Sequence, residues 1–322
     1  MITKYDYLIG VDGGGTKTHV RIEAADGTMI AEATAGPSAL MHGRDAAWIA
    51  ICTAIQTAFQ KANITPPSYD RMAMGCGLSG VNIPQWAAEF TKLNPGFGSI
   101  AVASDAFTTL FGAHMGKPGA IVAIGTGSIG AVLLADGSQH LLGGWGFPSG
   151  DEASGAWLGL QAINHAQQVF DGRAKTDAFA EDIMQFCGGD GSDTSNRNSV
   201  LSWLARANQS MYAQLAPLVL KYSPNYTAKH ATAQSTNPAN PTPPAHSAVA
   251  SSIMEKAGVE IAKLALALDP SEQLPLALCG GLAVPLHPYL PPALQQRALS
   301  PLADSATGGL ILIRQQLAME QK

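Results

Sequence analysis

Short apolar runs separated by polar turns mark the elements along the chain. Residues 7–11 are an apolar run, which predicts a buried strand, and residues 19–24 alternate polar and apolar side chains as a half-buried strand does. An Asp-Gly pair typical of a hairpin then leads into a third strand at 28–35. Apolar residues at helical spacing predict a helix over about 43–62. The chain therefore opens with antiparallel strands followed by a helix.

The same order of elements recurs in the second half. The first half continues with predicted strands at 71–76 and 99–103 and helices at 84–93 and 105–115. The second half contains predicted strands at 119–125, 129–135, 139–142 and 274–279, and helices at 151–169, 176–187, 197–222, 247–268 and 306–320. A recurring unit predicts two similar α/β domains, 1–117 and 118–322, with a cleft between them. We expect the last helix to pack back on the first domain.

One segment has no periodicity. Residues 223–247 are rich in Pro, Asn, Thr and Ala, which predicts a mobile surface loop between two helices. On composition alone, an insertion without chemistry is the favoured interpretation, and ordering of this segment over the cleft stays open.

Composition argues against several classes of partner. Of the 322 residues only 13% are charged, the net charge is −5, and no Lys/Arg run occurs, which argues against nucleic acid or a membrane surface. The longest apolar stretch, 120–135, is broken by Gly, Thr and Ser and indicates two strands. The N-terminus lacks the apolar core of a signal peptide, and the four cysteines form no C-x-x-C pair. We therefore expect reduced thiols and a cytoplasmic protein.

Three glycine turns, each directly after an apolar run, are the most informative feature. They are DGGGTKT (12–18), GTGS (125–128) and GGLA (280–283). Small residues leave backbone N–H groups accessible to phosphate, so the three turns together suggest a nucleotide held between two strand-rich halves. The segment 125–130 also matches G-x-G-x-x-G, but a strand rather than a helix follows, and no P-loop occurs.

The first turn carries candidate ligands for phosphate and metal. Asp12 stands at a strand end, where a carboxylate can hold Mg²⁺ through water, and Gly14 and Gly15 permit close backbone approach. Thr16 offers a hydroxyl group and an N–H, and Lys17 adds positive charge. An ordinary glycine-rich hairpin explains the same residues equally well.

Asp105 follows a predicted strand and begins a predicted helix. It fits a helix-capping or first-turn carboxylate, which spacing alone favours. It also fits a general base that takes the proton from a substrate hydroxyl group.

The segment GGWGFPSGDEASGAWLG (143–159) is a candidate carbohydrate site. Trp145 lies between glycines and near Asp151, and an aromatic ring beside polar groups is typical of a sugar site. A structural explanation competes: Ser149 and Glu152 match a capping box, and Asp151 would favour the helix dipole.

The three turns in this order resemble the superfamily of sugar kinases, actin and heat-shock chaperone ATPases. Within it, the 143–159 segment resembles the N-acetylglucosamine kinase and glucosamine kinase branch, grouped with BadF/BadG-type ATPases. The resemblance implies two ribonuclease-H-like domains flanking a nucleotide and sugar cleft, ATP and Mg²⁺ as cofactors, a homodimer, and no structural zinc. It implies Asp105, in Ser104-Asp105-Ala106, as the catalytic base. It places the ATP phosphates on Gly14, Gly15, Thr16, Gly125, Thr126 and Gly127, the adenosine on Gly280 and Gly281, and the sugar on Ser79, Gly80, Gly144, Trp145 and Asp151.

One position departs from the family pattern. Relatives often have Asn after G-P-S, where it touches the sugar, whereas this chain has Ala39. We therefore expect a kinase for the 6-hydroxyl group of N-acetylglucosamine or glucosamine, with the choice of sugar open. The alternatives are a BadF-type ATPase that drives electron transfer through an iron–sulfur cluster shared by two subunits, with Cys76 and Cys279 beside glycine turns, or a sugar sensor without catalysis.

Overall fold

The computed structural model describes residues 4–188, 197–225 and 246–320. The chain divides into two compact units. The first contains residues 1–121, 131–140 and 299–322, and the second contains residues 122–130 and 141–298. The boundary at 117/118 stays a prediction. No helix in the described part of the chain is both long and apolar enough to cross a membrane.

The first unit is built on a five-stranded sheet in the order β3-β2-β1-β4-β5. Strand β1 runs antiparallel to β2 and parallel to β4. The strands are β1 (Tyr7–Gly13), β2 (Thr18–Ala24), β3 (Met29–Ala35), β4 (Met72–Leu78) and β5 (Ser99–Ala103). The helices of this part of the chain are α1 (Arg44–Lys61), α2 (Pro84–Lys92) and α3 (Asp105–His114).

Strand β4, MAMGCGL, separates large from small side chains by simple alternation. Its large residues join the core cluster that also contains the buried face of α1: Met72, Met74, Cys76 and Leu78. The opposite face is small, with Ala73, Gly75 and Gly77, and α12 (Ser305–Glu320) packs there. A Cβ on Gly75 would lie 1.9 Å from the carbonyl oxygen of Gly309. The strand therefore contacts this helix backbone to backbone.

The second sheet repeats the order of the first. Its strands are β6 (Gly119–Ile124), β7 (Ser128–Leu133), β8 (Gln139–Gly143), β9 (Leu276–Cys279) and β10 (Ala298–Leu299). Their order is β10-β9-β6-β7-β8. From the opposite edge this is third, second, first, fourth and fifth along the chain, which is the order of the first sheet. The remaining helices are α4 (Gly155–Phe170), α5 (Ala178–Gly188), α6 (Arg197–Arg206), α7 (Gln209–Ala213), α8 (Ala216–Lys221), α9 (Ala248–Leu268), α10 (Ala283–Leu286) and α11 (Pro292–Arg297). The predicted pair of ribonuclease-H-like domains is confirmed.

The single helix predicted over 197–222 is wrong: three helices occupy it. Asn208 starts the second, because its side chain accepts a hydrogen bond from Met211 N, and a proline stands in the first turn of the third. Of the predicted loop at 223–247, residues 226–245 lie outside the described residues.

The start of α4 also differs from the prediction. Asp151 (φ 60°) and Ala153 (φ 65°) have left-handed backbone conformations, so the helix cannot begin at 151. It begins at Gly155, where the Ser154 side chain accepts a hydrogen bond from Trp157 N at 3.1 Å. The predicted capping box of Ser149 and Glu152 is therefore wrong, and Asp151 lies outside the helix.

Candidate functional site

Asp105 is the first residue of α3, directly after the cap. Ser104 is the N-cap, and its side chain accepts a hydrogen bond from Phe107 N. Asp105 itself accepts from Ala106 N at 2.9 Å. Burial, followed by the negative charge of Asp12, raises the pKa of Asp105 to about 6. Ser104 rather than Asp105 is therefore the N-cap, while Asp105 is a partly buried carboxyl group in the first turn of the helix, as the structural alternative also predicts.

Asp12 lies at the end of β1, within electrostatic reach of Asp105. Burial raises its pKa, although a hydrogen bond from Ser305 and the positive charge of Lys17 oppose the shift. The negative charge of Asp12 thus acts on Asp105, and that of Asp304 acts on Asp12. Carboxylate oxygens are the ligands that Mg²⁺ prefers, and a divalent cation would relieve this repulsion, so the donors present fit that metal.

The first glycine turn is tied to two other loops through its backbone. The carbonyl group of Gly14 accepts from Ser38 N and Ala39 N, both at 3.1 Å, and Gly13 O accepts from Ser79 N at 2.9 Å. The carbonyl of Ser79 in turn accepts from Leu40 N at 2.9 Å. The structure therefore brings together the predicted phosphate turn, the segment of the Ala39 departure and the loop that begins at Ser79.

The tip of this turn is open. Gly15, Thr16 and Lys17 are exposed, and a Cβ on Gly15 would meet nothing within 4 Å. Gly80 has a φ of 92°, which favours glycine there. An exposed turn with a hydroxyl group and an ammonium group can bind phosphate oxygens.

The second glycine turn lies against the start of α4. The carbonyl groups of Gly125 and Thr126 accept from Gly155 N at 2.8 Å and from Ala156 N at 3.1 Å. A Cβ on Gly127 would lie 2.7 Å from Asp151 Oδ2, so only glycine fits there without displacing the carboxylate. The turn thus follows β6, as predicted, and it is fixed by the N-terminus of a helix.

The third glycine turn contacts the end of β6. Gly280 has a φ of 90°, and its Cβ would lie 2.3 Å from Ile124 O. Leu282 N donates to the same carbonyl group at 3.1 Å, while a Cβ on Gly281 would meet nothing within 4 Å. The second and third turns are therefore neighbours in the second unit.

Asp151 is buried and its carboxylate is fixed from two sides. Oδ2 accepts from Gln209 Nε2 at 2.6 Å, and Oδ1 accepts from Gly146 N at 3.3 Å. Burial raises the pKa of Asp151 against these hydrogen bonds. Gln209, the first residue of α7, carries no motif that could have marked it in the sequence.

Trp145 borders a cavity within the second unit. Its side chain is 84% exposed, and Gly144 before it has a φ of 65°. The cavity has a volume of about 260 Å³ and is lined by Val122, Ser128, Gly143, Trp145, Glu152, Glu260, Ile261, Lys263 and Leu264. Lys263 donates to Glu260 at 2.8 Å. The exposed ring and these polar groups can receive a polar organic ligand.

Comparisons with known proteins identify a family and relatives that are named as kinases. The model of the BadF/BadG/BcrA/BcrD ATPase family matches residues 9–234. The glucosamine kinase GspK of Vibrio cholerae is 28% identical over 307 residues, which are 95% of each chain. The N-acetylmuramic acid/N-acetylglucosamine kinase of Clostridium acetobutylicum is 31% identical over 182 residues, 56% of this chain and 60% of that one.

Two solved structures of proteins with kinase names are similar to this chain. A Chromobacterium violaceum protein, provisionally named N-acetylglucosamine kinase, has a TM-score of 0.85 at 43% identity, over 97% of this chain and 100% of that one. A Porphyromonas gingivalis protein of the same provisional name has a TM-score of 0.63 at 16% identity, over 96% and 98%, and shows the fold alone. The family match extends over more than two thirds of the sequence, and this chain belongs to the BadF/BadG/BcrA/BcrD ATPase family.

Proposed function

We propose that this protein is an ATP-dependent kinase for the 6-hydroxyl group of an amino sugar, glucosamine or N-acetylglucosamine. The observation that carries the proposal is Asp105, a helix-start carboxyl group beside Asp12 whose pKa is raised to about 6. The relatives named above as glucosamine and N-acetylglucosamine kinases support the same activity.

In the proposed reaction Asp105 is the general base. Its carboxylate accepts the proton of the attacking sugar hydroxyl, the sugar oxygen forms a bond to the γ-phosphorus, and ADP leaves. A pKa of about 6 leaves the group ionised at neutral pH and still basic enough to accept a proton.

Asp12 is the proposed carboxylate for Mg²⁺. The cation, when bound, neutralises charge on the transferring phosphoryl group. Asp12 would hold it directly or through water, since the donors around this residue fit the metal.

In this proposal the three glycine turns together bind the nucleotide. Gly14, Gly15, Thr16 and Lys17 bind phosphate oxygens, as do Gly125, Thr126 and Gly127. Gly280 and Gly281 border the adenosine. Backbone N–H groups at such turns supply donors that need no rearrangement during the reaction.

The sugar would lie on the exposed ring of Trp145, with Asp151 fixing a hydroxyl group. Gly144, Ser79 and Gly80 complete the proposed contacts. Ala39 is 1% exposed, and its N–H donates to Gly14 O. Because its side chain is a methyl group, it offers no hydrogen bond to a sugar. The choice between the two sugars therefore rests on other residues.

The electron-transfer alternative needs cysteine ligands at a subunit surface. Cys76 and Cys279 are 0% and 4% exposed, and burial raises the pKa of Cys279 to about 12. Neither thiol is available as a thiolate ligand at a surface. A cytoplasmic location and a homodimer belong to the proposal, and both rest on the sequence.

The deciding experiment measures ADP release from Mg²⁺-ATP with glucosamine, N-acetylglucosamine, glucose or no sugar. We expect turnover with an amino sugar and little without sugar. Release of ADP that does not depend on sugar, or none with any of the sugars, would overturn the kinase proposal. Activity with glucosamine alone or N-acetylglucosamine alone settles the substrate.

A further inference from the structure

Helix α7, which begins at Gln209, is packed tightly against helix α4 in the second unit. A Cβ on Gly159 of α4 would lie 1.9 Å from the carbonyl oxygen of Tyr212, so the two backbones are in contact there. A Cβ on Gly155 would lie 3.3 Å from the Cβ of Ala213. Because such packing leaves little room for movement, the short helix has a fixed position beside α4.

Helix α7 also contacts the loop between β8 and α4, residues 144–154. The ring of Tyr212 packs against that of Phe147, with the ring centroids 4.8 Å apart. Trp203 of α6 meets Tyr212 edge to face, at a centroid distance of 5.3 Å. Aromatic packing therefore joins the loop that contains Asp151 to helices α6 and α7.

This packing brings the Gln209 amide to the Asp151 carboxylate, which is 5% exposed. Nε2 of Gln209 donates to Oδ2 at 2.6 Å, and Gly146 N donates to Oδ1 at 3.3 Å. A Cβ on Gly127 would lie 2.7 Å from Oδ2 and 3.0 Å from the Gln209 nitrogen. The glycine in the second turn thus leaves the space that the amide and the carboxylate occupy together.

We propose that Gln209 is a positioning residue for the sugar, which fixes the orientation of the Asp151 carboxylate relative to Gly146 and the Trp145 ring. This inference rests on the proposed function, in which Asp151 binds a sugar hydroxyl group. A carboxylate has about four acceptor sites, and the two hydrogen bonds use one on each oxygen. The remaining sites are thereby held in a fixed direction, in which they can accept from a sugar hydroxyl group before the sugar arrives.

The Gln209 amide also favours the ionised form of the carboxyl group. Burial raises the pKa of Asp151, hydrogen bonds from Gly146 N and Gln209 oppose the shift, and the negative charge of Glu152 adds to it. Loss of the amide should therefore raise the pKa of Asp151 further, so that the group becomes protonated at a higher pH.

The test compares two substitutions of the same kind. Gln209→Met removes the amide at nearly constant length, and the apolar side chain keeps water from taking its place. Gln214→Met is the matched control, because Gln214 lies directly after α7 and is exposed.

Three readouts are measured on the full chain. Initial rates at saturating Mg²⁺-ATP give kcat and the KM for glucosamine and N-acetylglucosamine over a range of pH. Calorimetric titration with Mg²⁺-ADP gives the nucleotide affinity. Carboxyl-carbon NMR of the sugar-free protein, labelled in aspartate and assigned with Asp151→Asn, gives the pKa of Asp151.

We expect Gln209→Met to raise the KM for the accepted sugar about 10- to 100-fold, as is typical for loss of a hydrogen bond to a charged group. The kcat at saturating sugar should change much less, and Mg²⁺-ADP affinity should stay unchanged. The pKa of Asp151 should rise, so that the sugar KM begins to increase at a higher pH than in wild type as the pH falls. Gln214→Met should behave as wild type.

A wild-type sugar KM in Gln209→Met, an unchanged pKa of Asp151, or an equal change in Gln214→Met would overturn the inference. An equal loss of sugar and nucleotide affinity would also overturn it, because that result indicates a merely structural role. If Gln209→Met does not fold, Gln209→Leu is judged by the same measurements. The NMR titration needs neither sugar nor phosphoryl transfer. Failure of the proposed function would therefore be seen separately, as a wild-type protein that phosphorylates neither amino sugar.

Discussion

At the scale of single residues, the central feature is a pair of carboxyl groups, Asp12 and Asp105, that both have a raised pKa. Asp12 and Asp105 are both shielded from water, burial raises the pKa of each, and the charge of Asp12 raises that of Asp105 further. Such an arrangement is unfavourable for folding in the absence of a cation. It is typical of a site kept for chemistry.

Asp105→Asn should lower kcat by about 10²- to 10⁴-fold, because an amide cannot accept the proton of the sugar hydroxyl. ADP binding should stay unchanged. Coupled ADP release and calorimetry measure the two quantities.

The matched control is Asp136→Asn in the exposed hairpin, where the carboxylate accepts from the N–H and hydroxyl groups of Ser138. It should keep wild-type kcat. Near-wild-type turnover by Asp105→Asn would show that another group accepts the proton.

The same variant should change how stability depends on pH. The pKa of Asp105 is raised from 3.8 to about 6 in the folded protein, so between these values the folded state binds more protons than the unfolded state. The contribution of protonated Asp105 to the free energy of unfolding is therefore fully present below pH 3.8 and is lost as the pH rises through about 6. Without Mg²⁺ and nucleotide, Asp105→Asn should be more stable than wild type by about 2 kcal/mol at pH 8.

Urea unfolding at pH 4 and pH 8 measures this difference. The advantage of Asp105→Asn should shrink toward pH 4, where the wild-type carboxyl group is largely protonated in the folded state. An advantage that is the same at both pH values would contradict the assignment of the raised pKa to Asp105.

At the scale of elements, the first unit depends on glycines where helix α12 meets the sheet. Gly10 and Gly75 face carbonyl groups of Ala306 and Gly309, at distances that no side chain could occupy. The apolar part of the helix, Leu310 and Ile313, then completes the core on that face of the sheet. Close approach of the backbone also places Ser305 Oγ 2.8 Å from Thr108 Oγ1.

Gly75→Ala should destabilise the protein by at least about 2 kcal/mol, because the added methyl group meets backbone 1.9 Å away that cannot move cheaply. Gly36→Ala is the control, since its Cβ would meet nothing within 4 Å. Urea unfolding of both variants measures the change. Equal stability of the two variants would contradict backbone-limited packing.

At the scale of the whole molecule, the two sheets share one strand order, β1 to β5 and β6 to β10. A glycine turn that we propose to bind phosphate follows the first strand of each, at Gly14 and at Gly125. Repetition of one unit thus supplies the proposed enzyme with two phosphate-binding turns of the same kind.

We expect a homodimer in solution. Only 13% of the residues are charged, against about a quarter in typical proteins, and apolar side chains such as Val259 and Leu266 on α9 are 49% and 52% exposed. Light scattering after gel filtration should give twice the mass of one chain. A single-chain mass at every concentration would contradict the expectation.

The sequence alone determined what depends on neighbours in the chain. Alternation and helical spacing predicted most strands and helices, because these signals arise within about ten residues, and the recurring order of those elements predicted the duplicated fold. Asp12, Asp105 and the turns could be identified from the sequence for the same reason, since each lies next to a predicted strand. The helix starts at 209 and 155 were missed, since left-handed residues and side-chain caps outweigh the apolar pattern there.

Only the tertiary structure decided which distant groups meet. Ser305 lies 197 residues from Thr108, whose hydroxyl group it contacts, and Gln209 lies 58 residues from Asp151. Neither stands in a motif. Both contacts depend on how closely backbones can approach, at Gly77 and Gly308 around Thr108 in one unit and at Gly155 and Gly159 in the other. That approach is a property of packed surfaces, which no local pattern of residues records.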